Sequence, residues 1–180
     1  MAEFKRTEYG NAERLVARHG AELRYCHPWR RWLVWDGTRW APDDSGEVDR
    51  RAKDTVRAMY AEVTELENTS ERRALGEWAV KSETRAAVNA MVGLAASEPG
   101  VPVLPDELDA QPWALNVRNG TINLRTGELH PHDQGQLITK LPRWTTSRAP
   151  RHHCGRSSLT ASWPATWSCC RSSRRRPGTR

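Results

Sequence analysis

Apolar and polar positions alternate most regularly from Pro112 to Leu129. Asn119-Gly120 lies in the middle of that stretch, where it matches the two-residue type I′ hairpin loop, whose two positions both need positive φ. With Arg118 opposite Thr121, the pairs Val117–Ile122, Asn116–Asn123 and Leu115–Leu124 follow. Leu115, Val117, Ile122 and Leu124 then share one face, and the opposite face, carrying Asn116, Thr121 and Asn123, is polar, so Thr121→Lys there should cost little. Thr126-Gly127 supplies a second turn leading to Leu129. The alternation in Trp32–Trp40 predicts another hairpin around an Asp36-Gly37 loop, with Leu33, Trp35 and Trp40 on one face, and Leu23 and Tyr25 predict a strand before it.

Elsewhere the apolar spacing changes to three and four. A helix is expected over Thr7–His19, capped by Thr7 or Asn11 and closed by Gly20 in the left-handed conformation. Val48, Ala52, Val56, Met59, Tyr60, Val63 and Leu66 predict an amphipathic helix, whose interspersed acids and bases read as a solvated face. A third helix starts at Ser70 with Leu75, Trp78 and Ala79 inward. After a cap in Ser82-Glu83-Thr84, a fourth presents Ala87, Val88, Met91, Val92 and Ala95, the two forming a helical hairpin. Glu98–Asp106, with three prolines, should run extended across the surface, and Leu137–Lys140 reads as a last short strand. The expected fold is α+β, with two β-hairpins and about four helices in a single domain over residues 1–140.

Composition changes the picture only at the end of the chain. The formal net charge of +6 over 180 residues divides into −3 for residues 1–140 and +9 for residues 141–180, where nine Arg occur without a single acid or Lys. That tail also lacks Val, Ile, Met, Phe and Tyr, so it cannot bury enough apolar surface to offset the entropy of ordering. Residues 141–180 are read as a disordered basic tail whose composition is that of a GC-rich gene translated out of frame. No apolar run approaches the length of a membrane span and the N-terminus has no apolar leader, so a cytoplasmic location without membrane contact is expected. Three of four cysteines, Cys154, Cys169 and Cys170, fall in the tail; Cys26 reads as a small core residue.

Candidate chemistry is sparse. Trp29, Arg30, Arg31, Trp32 and Arg39 interleave rings with positive charge, which can stack bases and neutralise phosphates. The competing reading is strand packing with the arginines on the wet side. His130, His132 and Asp133 have metal-ligand side chains, but Pro131 between them and the lack of a further cluster favour a polar turn. His152, His153, Cys154, Cys169 and Cys170 lack the usual spacing of zinc ligands. Asp43-Asp44 and Asp106 with Asp109 fall in loops and read as solvated or capping groups rather than a two-metal cluster. There is no Gly-x-x-x-x-Gly-Lys-Ser/Thr loop and no assignable nucleophile with its base. No catalytic residue, metal ligand or cofactor is therefore assigned.

Several motifs in order carry a resemblance. They are Gly10-Asn11-Ala12 with Arg14-Leu15-Val16 and His19-Gly20, then Trp32-Leu33-Val34-Trp35-Asp36-Gly37 and Ser97-Glu98-Pro99-Gly100-Val101-Pro102. Leu115-Asn116-Val117, Asn119-Gly120-Thr121-Ile122 and Leu124-Arg125-Thr126-Gly127 complete the set. Over residues 7–140 the chain resembles the region just ahead of the helicase domain in phage and plasmid primase-helicases, related to the poxvirus nucleoside-triphosphatase. It departs from that family at Asn123, where members usually have Asp, and after Lys140, where they continue into a superfamily-three helicase ATPase and this chain has the basic tail.

The resemblance implies a non-catalytic accessory module that positions DNA or subunits for the ATPase, with self-association of the ring-helicase kind as a further option. Weak, salt-dependent DNA contact, largely through the tail, is the expected partnership. The alternatives are a domain with its own metal-dependent primase or nuclease activity, and an inactive prophage remnant.

Overall fold

The computed structural model describes residues 4–142. The expectation of a disordered tail lies outside the described residues except for Leu141 and Pro142. Helix α1 (Glu8–His19) starts where Thr7 Oγ1 accepts the Gly10 N–H at 3.0 Å. Gly20 does not turn left-handed as expected: its φ is −60° and the chain tightens into a short 3-10 turn over Gly20–Glu22. Asn11, the alternative cap, is instead buried, donating to Ser82 Oγ and accepting the Trp78 indole N–H, each at 2.9 Å. This polar tie joins α1 to a helix some seventy residues later.

Strands β1 (Leu23–Cys26), β2 (Arg31–Trp35) and β3 (Trp40–Pro42) form an antiparallel sheet in that order. Trp35 pairs with Trp40, so the β2–β3 loop has four residues, Asp36–Arg39, rather than two. Asp36 Oδ1 organises it by accepting the N–H groups of Thr38 and Arg39 at 2.8 and 2.9 Å, and Gly37 takes the positive φ of 92°. As the alternation predicts, Leu33, Trp35 and Trp40 share a face, packing with Cys26, Val103, Leu108 and Leu137. The other face sends Leu23 and Val34 into the helical core.

That core collects Ala12, Leu15, Val48, Ala52, Val56, Val88, Met91 and Ala95 from α1, α2 (Glu47–Glu65) and α4 (Arg85–Ala95). Helix α3 (Thr69–Ser82) is capped by Asn68, one residue earlier than the sequence suggests. It lies mainly along α2, while α4 lies mainly along α1, so α3 and α4 do not form the expected self-contained hairpin. Pro99 to Asp106 is not a surface excursion. Val101 and Val103 are buried, and their backbones bracket Tyr25 on the free edge of β1: the Val101 carbonyl accepts the Tyr25 N–H at 2.9 Å and the Val103 N–H donates to the Tyr25 carbonyl at 3.0 Å. An otherwise open sheet edge is thereby covered.

Helix α2 is capped from a distance. Gly46, just before it, has φ of 73° and no side chain to offer, and Asp43 fills the role by accepting the Glu47 and Val48 N–H groups at 2.8 and 2.9 Å. Burial alone would raise the Asp43 carboxyl. The surrounding N–H groups of Val48, Glu47, Ser45 and Gly46 outweigh it and hold the carboxyl below its ordinary value. A group depressed in this way stabilises the fold above the ordinary carboxylate value and loses that contribution as pH falls through the folded value. Asp43→Ala is expected to cost about 1–2 kcal/mol at pH 7. The difference from the parent should shrink in melts below about pH 4.

The second sheet, β4 (Ala114–Val117), β5 (Gly120–Asn123) and β6 (Leu129–His130), is also antiparallel. Its register corrects the expectation by two residues: Val117 pairs with Gly120, Asn116 with Thr121, Leu115 with Ile122 and Ala114 with Asn123. The loop is Arg118-Asn119, and neither residue has positive φ. Gly120 is needed for a different reason from the one expected: φ is +147°, and a Cβ there would run into the His130 carbonyl oxygen of β6. A two-residue shift preserves parity, so Leu115, Val117 and Ile122 still share a face. Leu124 lies beyond β5 and is half exposed.

The larger correction concerns the polar face. Asn116 and Thr121 are both 3% exposed, because the β2–β3 loop and residues 132–140 cover them. Asn116 Nδ2 donates to the carbonyls of Thr38 and Lys140 at 2.9 and 3.4 Å. Leu137–Lys140 is not a strand; it is tied by the Trp40 N–H to the Ile138 carbonyl at 2.9 Å and by Asp109 to Thr139. The described residues belong to one compact unit of four α-helices and two three-stranded sheets, an α+β domain.

Candidate nucleic-acid interface

The turn between β1 and β2 spans His27–Arg30 and closes with the Arg30 N–H on the His27 carbonyl at 3.1 Å. Arg30 takes a left-handed φ of 50°, and His27 Nε2 lies 3.1 Å from the Ala96 carbonyl, anchoring the turn to the end of α4. This geometry lifts Trp29 out of the body, where it is 49% exposed. Arg31 follows as the first residue of β2, exposed and, among the described residues, without a carboxylate partner.

Strand alternation then sorts the candidate residues. Arg31 and Leu33 point to one face, Trp32 and Val34 to the other. A groove of about 490 Å³ on the Arg31 side is lined by Trp29, Arg31, Leu33, Arg39, Pro42 and Thr139. Trp32 is turned against the helical core, its ring 5.0 Å from that of Tyr25, and Arg30 is exposed outside the groove. The structure thus brings together Trp29, Arg31 and Arg39 and separates Trp32 and Arg30 from them.

Arg39 is held in place from two sides. Its Nε lies 3.5 Å from Asp36 Oδ2 and its Nη1 donates to the Thr139 carbonyl at 3.2 Å. For Asp36, burial acts upward, but the Thr38 hydroxyl, the N–H groups of Arg39 and Thr38, and the Arg39 charge hold its carboxyl below the usual range. It is therefore ionised at neutral pH and offsets part of the Arg39 charge. Thr139 is in turn fixed by Asp109, which accepts its N–H at 2.8 Å and its hydroxyl at 2.6 Å. Among the described residues no carboxylate lines the groove itself. The result is an exposed indole beside two guanidinium groups, one free and one fixed, an arrangement suited to stacking a base and meeting its phosphate.

Sequence reasoning missed Leu33, Pro42 and Thr139 as walls of this groove. The first two follow from strand parity once the hairpin is drawn. Nothing in the sequence signals that Thr139 meets Arg39 a hundred residues away. Arg24 was missed as well: its guanidinium lies 4.7 Å over the Trp40 ring and donates to the carbonyls of Gly20 and Leu23, so it is spent internally.

The other chemistry-bearing residues are dispersed. Asp43 caps α2 and Asp109 holds Thr139. His132 Nδ1 lies 2.9 Å from Asn116 Oδ1, whereas His130 sits on β6 near Glu128 and Asp133 caps the turn at Gly135. Among the described residues no three His, Cys, Asp or Glu side chains are grouped to hold a metal ion. The tail histidines and cysteines lie outside the described residues. No described helix is long and apolar enough to cross a membrane.

The D5 N terminal like family model matches residues 12–155. That span begins inside α1, contains both sheets and the groove, and runs past Lys140. No curated protein matches the chain.

Proposed function

Because the chain belongs to the D5 N terminal like family, the N-terminal domain of phage and plasmid primase-helicases, we propose that it is a non-catalytic module that holds DNA for a helicase ATPase. The observation that carries this reading is the groove in which Trp29, Arg31 and Arg39 converge, without a lining carboxylate among the described residues. An indole supplies sequence-independent stacking and the guanidinium groups supply phosphate neutralisation, the combination that single-strand binding uses. The basic tail adds a second, diffuse source of phosphate contact at low salt, since nine arginines release counterions whether or not they are ordered.

The module reading requires that nucleotide hydrolysis be supplied from elsewhere. The purified chain is expected to turn over no ATP above background, because no phosphate-cradling loop with its lysine is present. Turnover that survives a second purification step would overturn this. DNA binding tests the groove directly, by anisotropy of labelled single strands against Trp29→Ala and Arg31→Ala. Metal-dependent nucleotide incorporation or strand cleavage by the chain would favour a domain with primase or nuclease activity of its own.

A further inference from the structure

A second cavity, of about 530 Å³, opens against the second sheet. Its polar and aromatic walls are Gln111, Trp113, Thr121, Asn123, His130 and Gln136. Among the described residues none of those lining it is Lys, Arg, Asp or Glu, so the cavity suits a neutral group rather than a phosphate or a metal ion. The walls stand on fixed elements. The Trp113 carbonyl accepts the Leu124 N–H at 2.8 Å, and Thr121 pairs with His130 across β5 and β6. Gln136 ends a 3-10 turn that Asp133 caps, and the Gln134 carbonyl in that turn accepts the Trp40 indole N–H at 3.0 Å.

Two features of this cavity lack an internal explanation. Trp113, in the turn that leads into β4, is 49% exposed, and the Gln136 terminal oxygen is buried with no hydrogen-bond donor among the described residues. Leaving such an acceptor unpaired costs free energy that a ligand N–H would recover. Other polar groups are already committed: Thr121 Oγ1 donates to Asn116 Oδ1, and Asn123 Oδ1 accepts the Arg125 N–H at 2.9 Å, which leaves the Asn123 amide N–H₂ as a donor. The cavity therefore offers a flat indole, an orphan acceptor and a free donor. Outside it, the Arg125 guanidinium lies 4.7 Å from the Trp113 ring centre, and among the described residues it has no carboxylate partner.

We propose that this cavity is a nucleobase site, with the base stacked on Trp113, its exocyclic amine or ring N–H donating to Gln136 Oε1 and a ring acceptor meeting the Asn123 amide. An unstacked base of a single strand satisfies these requirements while its phosphate remains outside beside Arg125, which is how proteins read splayed-out bases. The site is separate from the Trp29 groove and does not depend on it.

The test uses the full chain and two probes, 2-aminopurine riboside, whose fluorescence falls on stacking, and an oligothymidine carrying one 2-aminopurine. Saturable quenching is expected with both, and quenching of the oligonucleotide alone would still support the site as one for a base held in a strand. Trp113→Ala, made in a Trp29→Ala background so that the other groove cannot stack the probe, should abolish the quenching. Gln136→Leu should weaken 2-aminopurine binding about tenfold, yet leave unchanged the affinity for purine riboside, which lacks the exocyclic amine and is measured by competition. Circular dichroism and melting confirm that both variants fold. Unchanged quenching in Trp113→Ala overturns the proposal, as does equal weakening of both ribosides by Gln136→Leu. Displacement of the probe by glucose but not by purine riboside would assign the cavity to a sugar and also overturn it.

Discussion

Asn116→Leu should destabilise the domain by about 3–5 kcal/mol, enough to unfold a marginally stable protein of this size. Asn116 is where the two halves of the fold meet. Its Nδ2 donates to the Thr38 carbonyl in the β2–β3 loop and to the Lys140 carbonyl. With both amide protons directed at carbonyls, Oδ1 is left as the acceptor for Thr121 Oγ1 at 3.3 Å and for His132 Nδ1 at 2.9 Å. His132 must therefore carry its proton on Nδ1. A leucine of similar size keeps the volume and strands four polar groups at once, each costing roughly 1–3 kcal/mol when buried unpaired, less whatever local relaxation lets water recover. Thr121→Lys belongs to the same class, although the alternating pattern alone marks it as harmless, because its position beside Asn116 has no room for a solvated ammonium. Urea unfolding of both variants checks this. A loss under about 1 kcal/mol for either would mean that the network contributes little.

Asn116 also marks the limit of what the sequence discloses. Alternation separates Leu115, Val117 and Ile122 from Asn116 and Thr121 correctly, but polarity does not say which face is covered. The cover comes from Thr38 and Lys140, neither of which lies near the hairpin in sequence. The register failed for a related reason. Asn119-Gly120 has the chemistry of a two-residue loop, yet Gly120 is used for the close approach of β6, which no local pattern records.

The face shared by Leu33, Trp35 and Trp40 was legible because strand parity and three large side chains agree. The same parity carries the signal that Trp32 must part from Arg31. Helix α1 was legible from its Thr7 cap, and α2 and α4 from their spacing. The burial of Val101 and Val103 was not, since prolines in a short extended segment look alike whether it crosses open surface or caps a sheet edge.

The second large effect concerns DNA. Trp29→Ala is expected to lower affinity for a single strand roughly tenfold or more, since stacking on an exposed ring is worth about 1–3 kcal/mol per base. Stacking releases no counterions, so the slope of log K against log salt should stay as it was. Arg31→Ala acts on the other axis: losing one phosphate contact should flatten the slope by about 0.7. Arg39 should matter less per charge, because Asp36 already offsets part of it and the Thr139 carbonyl holds it in place. Removing the tail should flatten the slope most, through up to nine arginines.

The most direct test is a fluorescence-anisotropy salt series with a labelled single strand. It compares the full chain, the chain ending at Pro142, and Trp29→Ala and Arg31→Ala in each. The shortened chain should melt with the full one, since both apolar clusters lie within residues 4–142. Shortening is expected to remove most of the salt dependence and much of the low-salt affinity. The residual binding should keep a shallow slope of about 0.7 per guanidinium contact and weaken roughly tenfold or more in Trp29→Ala. Residual binding that is indifferent to both Trp29 and Arg31 would contradict the groove as the DNA contact. Full affinity in the shortened chain, abolished by Arg31→Ala, would contradict the share given to the tail.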